Sequence, residues 1–265
     1  MQTLSWCTPE LESLFHPKRL EHLAASLPGL FAARDRWEAQ PRHVELGAHR
    51  AAFLCGLARA HAPQPVVGLE VRSKYVRLAE ERIRAAGLSN AHMLCADARL
   101  AVPLLLEPES VDAFYVTFPD PWWKERHAGR RFLEPVYLRV LARRLRPGGR
   151  LYVKSDVFEL LMRTREACAA SQAFRPLPPE RWPDERMWTW TTREKKCMRA
   201  AIPFGRGYYE RRRDFASDLP TTPELETSFP VQTIEDPVQL LRGAPPLDVE
   251  QRRRRGAPSA TAPTE

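Results

Sequence analysis

No stretch of this 265-residue chain approaches the ~20 consecutive apolar residues of a membrane-spanning helix, and no basic region leading into an apolar run opens it. Neither membrane insertion nor secretion is expected. Cysteine offers little chemistry: Cys7, Cys55, Cys95, Cys168 and Cys197 are odd in number and scattered. They make neither a CxxC zinc pattern nor a disulfide framework, which suits a reducing cytoplasm and a protein without a bound metal. Lysine is scarce, with six against 35 arginines, and there is no GxGxxG fingerprint to cradle a pyrophosphate, which disfavours a dinucleotide enzyme. What is present is enough apolar sequence, 43%, to bury a substantial core.

The formal charge of +8 is unevenly spread. Residues 214–265 carry nine acids and five bases, leaving 36 bases against 24 acids in residues 1–213. Two basic windows stand out: residues 124–150 hold nine bases and two acids, and residues 193–213 hold eight and two. Such windows suit a polyanionic partner. Arg139, Arg143 and Arg146 also recur at helical spacing, which equally suits the solvated face of a helix.

Apolar runs at His43–Leu46, Pro65–Leu69, Ala91–Cys95, Ala113–Thr117 and Arg150–Lys154 alternate with amphipathic segments at Ala51–His61, Lys74–Ala86 and Phe132–Leu145. Gly87 and the Pro147-Gly148-Gly149 turn supply helix stops. The alternation predicts an α/β fold with a mostly parallel sheet and helices on both faces, spanning 43–213. Residues 1–42, interrupted by Pro17 and Pro28, read as a capping extension. Residues 214–265 read as a proline-rich, largely disordered tail.

Acids stand at the ends of five consecutive predicted strands: Glu45, Glu70, Asp97, Asp120 and Asp156. Ligands of open α/β sheets bind beyond these strand ends, although Asp and Glu there also start helices. Glu70 lies 23 residues after Gly47, near the spacing of an acid that binds ribose hydroxyls. Asp97 is placed for the adenine side of a nucleoside. An acid-lined pocket without phosphate-binding glycines suits S-adenosylmethionine, a nucleoside with a sulfonium cation.

The segment Phe118-Pro119-Asp120-Pro121-Trp122-Trp123-Lys124-Glu125-Arg126-His127-Ala128-Gly129-Arg130-Arg131 resembles the FPDPWxKxRHxxRR signature of the tRNA (guanine-N7)-methyltransferases. Glu45-Leu46-Gly47, Gly68-Leu69-Glu70, Ala96-Asp97-Ala98, Leu145-Arg146-Pro147-Gly148-Gly149, Ser155-Asp156 and a Thr191–Glu194 TxxE element accompany it. The resemblance covers roughly residues 43–213. It implies a Rossmann-like class I methyltransferase fold, S-adenosylmethionine as cofactor and tRNA as substrate. Glu45, Gly47, Glu70, Asp97 and Asp120 are the implied cofactor residues, with Asp120 catalytic. Lys124, Asp156, Thr191 and Glu194 match positions that bind the target nucleotide. Arg126, Arg130 and Arg131 form a cationic hook suited to RNA phosphates. No residue is assigned to a metal.

The chain departs from the family's ExGxGxG loop, because His49 and Ala51 replace the second and third glycines. His49 is expected to form a wall of the methionine end of the pocket. Trp182, Trp188 and Trp190 suit stacking on unpaired bases or a local packing cluster. Three readings stand at this point: methylation of guanine N7 in the tRNA variable loop, a non-catalytic RNA-binding relative with an impaired cofactor loop, or a methyltransferase for another RNA.

Overall fold

The computed structural model describes residues 7–35, 37, 39–121, 133–183 and 189–216. A central sheet contains β1 (His43–Leu46), β2 (Val66–Glu70), β3 (Ala91–Cys95), β4 (Val111–Thr117), β5 (Leu145–Ser155), β6 (Phe174–Pro176) and β7 (Gly205–Arg211). Its order is β3-β2-β1-β4-β5-β7-β6. The first five strands pair in parallel, and β7 runs antiparallel between β5 and β6. The chain winds outward from β1 through β2 and β3, then crosses back to β4. The strand order therefore reverses between β1 and β4, where the carboxyl ends open a crevice.

The helices are α1 (Pro9–Leu14), α2 (Pro17–Ala24), α3 (Leu27–Arg34), α4 (Ala52–Ala60), α5 (Ser73–Ala85), α6 (Ala98–Leu105), α7 (Pro135–Arg144), α8 (Phe158–Ser171) and α9 (Thr192–Arg199). Period-two alternation along the strands divides the core. Val44, Phe114, Leu151 and Tyr209 join a cluster with residues of α1–α3, α6, α7 and α8. Ala113, Tyr115, Tyr152 and Tyr208 join one with α4 and α5. The expected sheet with helices on both faces is the one found.

The prolines of the N-terminal extension start helices rather than interrupt them. Pro9 and Pro17 sit at first-turn positions, where a missing N–H costs nothing. Leu11, Leu20, Leu27 and Leu30 enter the core, and Glu10 accepts hydrogen bonds from Arg143 at 2.8 Å and Arg144 at 2.6 Å. This corrects the solvated-face expectation for the arginine series. Arg139 is buried and Arg143 ties α7 to α1, while Arg146 lies on β5 and pairs with Asp112. The Pro147-Gly148-Gly149 segment forms an irregularity inside β5: Leu145 pairs with Val111, and the next register partners are Arg150 and Ala113.

At the amino end of β1, His43 stacks on His61 with centroids 3.6 Å apart, and its Nδ1 lies 3.1 Å from the Tyr115 hydroxyl. Burial, aided by the neighbouring His61, pushes the His43 pKa down from 6.5 to about 4. Between those values the unfolded chain binds more protons than the native one, so stability falls as pH drops from 6.5 towards 4. His43 alone contributes a loss of about 3 kcal/mol across that window. Urea unfolding should show a shallower pH dependence there in His43→Phe, which keeps an aromatic ring for the stack; an unchanged slope would remove His43 from this role.

Candidate active site

The loop from β1 to α4 turns sharply through three alternating left-handed residues, Gly47 (φ 82°), His49 (φ 48°) and Ala51 (φ 55°). These are the positions of the ExGxGxG glycines. His49 and Ala51 adopt a glycine-like conformation that costs roughly 1–2 kcal/mol each for a residue bearing a Cβ. Contacts to β2 hold the turn. The N–H groups of Gly47 and Ala48 donate to the Leu69 carbonyl at 2.8 and 2.9 Å. The Glu70 carboxylate accepts the His49 N–H at 3.1 Å through Oε2 and the Arg72 N–H at 3.0 Å through Oε1. Glu70 thus joins the loops after β1 and β2. Gly68 lets the loop lie this close, because a Cβ there would stand 2.7 Å from the Ala48 Cβ and 2.9 Å from Leu54 Cδ2.

The His49 ring packs against Tyr75 at 4.0 Å between centroids. Burial holds its imidazole below the ordinary pKa. Arg50 and Arg72 flank the same tyrosine at 5.8 and 5.7 Å from the ring centroid. Beside Glu70, Val71 is 62% exposed, an apolar surface at the mouth of the crevice. Asp97 is the N-cap of α6, accepting the Arg99 N–H at 3.0 Å and pairing with its guanidinium at 2.8 Å. Glu45 lies deeper, only 2% exposed. Its Oε1 accepts the Thr117 hydroxyl at 3.1 Å, while Oε2 is buried without a hydrogen-bond partner among the described residues. Burial pushes its carboxyl up to about 8, against the pull of the Thr117 hydrogen bond. A buried carboxyl oxygen without a described hydrogen-bond partner below a sharply turned loop, a loop-bracing acid and an exposed apolar residue fit a nucleoside cofactor at the switch point.

Across the crevice, Phe118 follows β4 with φ 53° and donates its N–H to the Lys154 carbonyl at 2.7 Å. This turn projects Asp120 outward, 65% exposed, with its Oδ2 4.0 Å from Arg72. Asp156, past the end of β5, is buried and paired with Arg193. Thr191 and Glu194 form a reciprocal capping box on α9. The Glu194 N–H donates to Thr191 Oγ1 at 3.0 Å, and Glu194 Oε2 accepts the Thr191 N–H at 2.6 Å. Glu194 Oε1 also pairs with Lys154.

The structure therefore gathers Glu45, Gly47, Glu70 and Asp120 around one crevice, with Asp156, Thr191 and Glu194 along its β5–α9 side. Lys124, Arg126, Arg130, Arg131, Trp122, Trp123 and Trp188 lie outside the described residues. Trp182 belongs to a packing cluster, 4.9 Å from Tyr208 and donating its indole N–H to the Leu177 carbonyl at 2.7 Å. Trp190 is half exposed. Sequence reasoning passed over Lys154, Tyr75 and Arg193. A lone lysine closing the apolar run Leu151-Tyr152-Val153 signals a buried partner, and Thr-x-x-Glu is itself the capping-box pattern.

Comparison with known proteins gives the family of the chain. A family model described as "Putative methyltransferase" matches residues 39–204. A tRNA (guanine-N(7)-)-methyltransferase of Myxococcus xanthus is 31% identical over 180 residues, covering 63% of this chain and 84% of the relative. One of the same description from Thermosynechococcus vestitus is 34% identical over 160 residues, covering 60% and 75%. A third, from Rubrobacter xylanophilus, is 33% identical over 142 residues, covering 54% and 63%.

Gly68→Ala tests the seating of the loop. The added methyl should displace Ala48 and lower stability by about 1–3 kcal/mol in urea unfolding. Calorimetry should show weaker S-adenosylmethionine binding in the same variant. Wild-type values in both would show that the loop is seated differently.

Proposed function

Because this chain belongs to the tRNA (guanine-N7)-methyltransferase family, we propose that it transfers a methyl group to N7 of a guanine in tRNA, the variable-loop guanine being the target. S-adenosylmethionine supplies the methyl group on a sulfonium centre. Glu45, Gly47, Glu70, Asp97 and Asp120 hold it: the Glu70 carboxylate, already bracing the loop, has lone pairs left for ribose hydroxyls. The observation that carries the reading is the loop itself. His49 and Ala51 keep the left-handed torsions that glycine would supply, which supports a backbone path still open to the cofactor. That favours turnover over a non-catalytic RNA-binding role.

Guanine N7 has an in-plane lone pair and no proton to lose. The chain therefore has to align the reacting atoms and stabilise moving charge, without a general base. The purine becomes cationic as the sulfonium charge disappears. Asp120, exposed at the crevice and held between Pro119 and Pro121, is the carboxylate that stabilises this charge as it moves. Asp156, Glu194 and Thr191 address the guanine, whose N1–H and amino group are donors matched to carboxylates. The Arg193 guanidinium on Asp156 presents the same kind of donor. Lys124 meets a phosphate near the target, and Arg126, Arg130 and Arg131 grip the RNA backbone. No described helix is long and apolar enough to cross a membrane, and the cytoplasm, where tRNA resides, is the proposed location.

Two measurements test this reading. Asp120→Ala should lower kcat by about 100-fold or more while the unfolding midpoint stays at the wild-type value. A variant turning over at the wild-type rate removes Asp120 from its role. Labelled methyl should appear in tRNA transcripts that contain the variable-loop guanine and disappear when that guanine is replaced. Equal labelling of both transcripts would contradict the proposed target.

A further inference from the structure

Lys154 closes the apolar run of β5, and its side chain is only 4% exposed. A buried ion pair is a weak device for stability, since an apolar pair of similar volume serves a core as well or better. Its contacts supply another reason for it to be here. The ammonium pairs with Glu194 Oε1, on a side chain 3% exposed, and lies 5.3 Å from the Tyr152 ring centroid and 5.8 Å from that of Phe204. Glu194 in turn fixes Thr191 through the capping box. One ammonium thereby seats the whole first turn of α9.

The main chain of the same residue works on the opposite side. Its carbonyl accepts the Phe118 N–H at 2.7 Å, fixing the left-handed turn two residues before Asp120. Its register partner on β4 is Thr117, which donates to Glu45 at 3.1 Å. Asp156 follows two residues later. Lys154 thus stands between the Asp120 loop, held through its backbone, and the Thr191–Glu194 turn, held through its side chain. A second contact presses that segment inward: a Cβ on Gly56 of α4 would lie 2.6 Å from the Thr189 backbone nitrogen.

We propose that Lys154 is a positioning residue for the target nucleotide, its ammonium holding the Thr191–Glu194 turn beside Asp156. The cofactor side of the crevice is held independently, by the Glu70 carboxylate and the Leu69 carbonyl, neither of which touches the Lys154 side chain. This rests on the reading that Thr191 and Glu194 address the guanine.

Lys154→Met provides the test. S-adenosylmethionine affinity and kcat should stay within about threefold of wild type, while KM for tRNA rises about tenfold or more. The double variant Lys154→Met/Glu194→Gln removes the orphaned charge and keeps a residue able to complete the capping box. It should restore the unfolding midpoint and show the KM of Glu194→Gln alone, because Lys154 acts through Glu194; a KM about tenfold above that of Glu194→Gln overturns the proposal even if the single Lys154 variant does not fold. A KM for tRNA within about twofold of wild type overturns the proposal. So does parallel weakening of cofactor binding and KM, the mark of general destabilisation. A wild-type enzyme that methylates no tRNA overturns the functional reading, and this proposal with it; an active wild type with an unaffected variant overturns the proposal alone.

Discussion

The Glu70 carboxylate, receiving two backbone N–H groups from two different loops, is the contact on which the crevice depends. Without it the turn after β1 would have to keep three left-handed residues, two of them bearing side chains, against their own conformational preference. With it, and with the Leu69 carbonyl accepting two further N–H groups, the strained turn is over-determined. The position of α4 follows from that turn. So does the close approach across Gly68. Strain kept at a crevice by surrounding hydrogen bonds is the signature of a backbone shaped for a ligand rather than for stability.

Charge has a second organising role, and it works mainly inside the described part of the protein. Glu10 gathers Arg143 and Arg144, Glu210 gathers Arg175 and Arg181, Asp156 holds Arg193, and Glu194 holds Lys154. Of these structural ties, Arg143, Arg144 and Arg193 come from the basic windows of the sequence. The ties join the N-terminal helices to α7, β6 to β7, and α9 to the end of β5. The arginines proposed to grip RNA are those after Asp120, in the segment most like the family signature.

The sheet was legible because buried parallel strands leave short apolar runs and the intervening helices keep their own period. The edges were harder. Helix α6 was not anticipated, since it spans eight residues with Pro103 inside it. The early start of β5 was hidden by a Pro-Gly-Gly segment that reads as a turn but forms an irregularity within the strand. The site was legible as a set of strand-end acids, though their surroundings were not. Glu45 is buried, Glu70 braces backbone, Asp97 caps a helix, and only Asp120 stands largely free of the protein. Spacing cannot separate these fates, because those of Glu45 and Glu70 depend on Thr117 and His49, 72 and 21 residues away. His49 shows the same limit: its substitution was visible, but its packing on Tyr75 required the fold.

Methyl transfer to N7 is distinguished from every other guanine modification by the atom it requires. The decisive measurement compares labelled-methyl transfer from S-adenosylmethionine to two tRNA transcripts, one with ordinary guanosine and one with 7-deazaguanosine, in which a C–H replaces N7. The account predicts stoichiometric labelling of the first, recovered as 7-methylguanosine after digestion, and none of the second. Equal labelling of the deaza transcript, or no labelling of either, would contradict it.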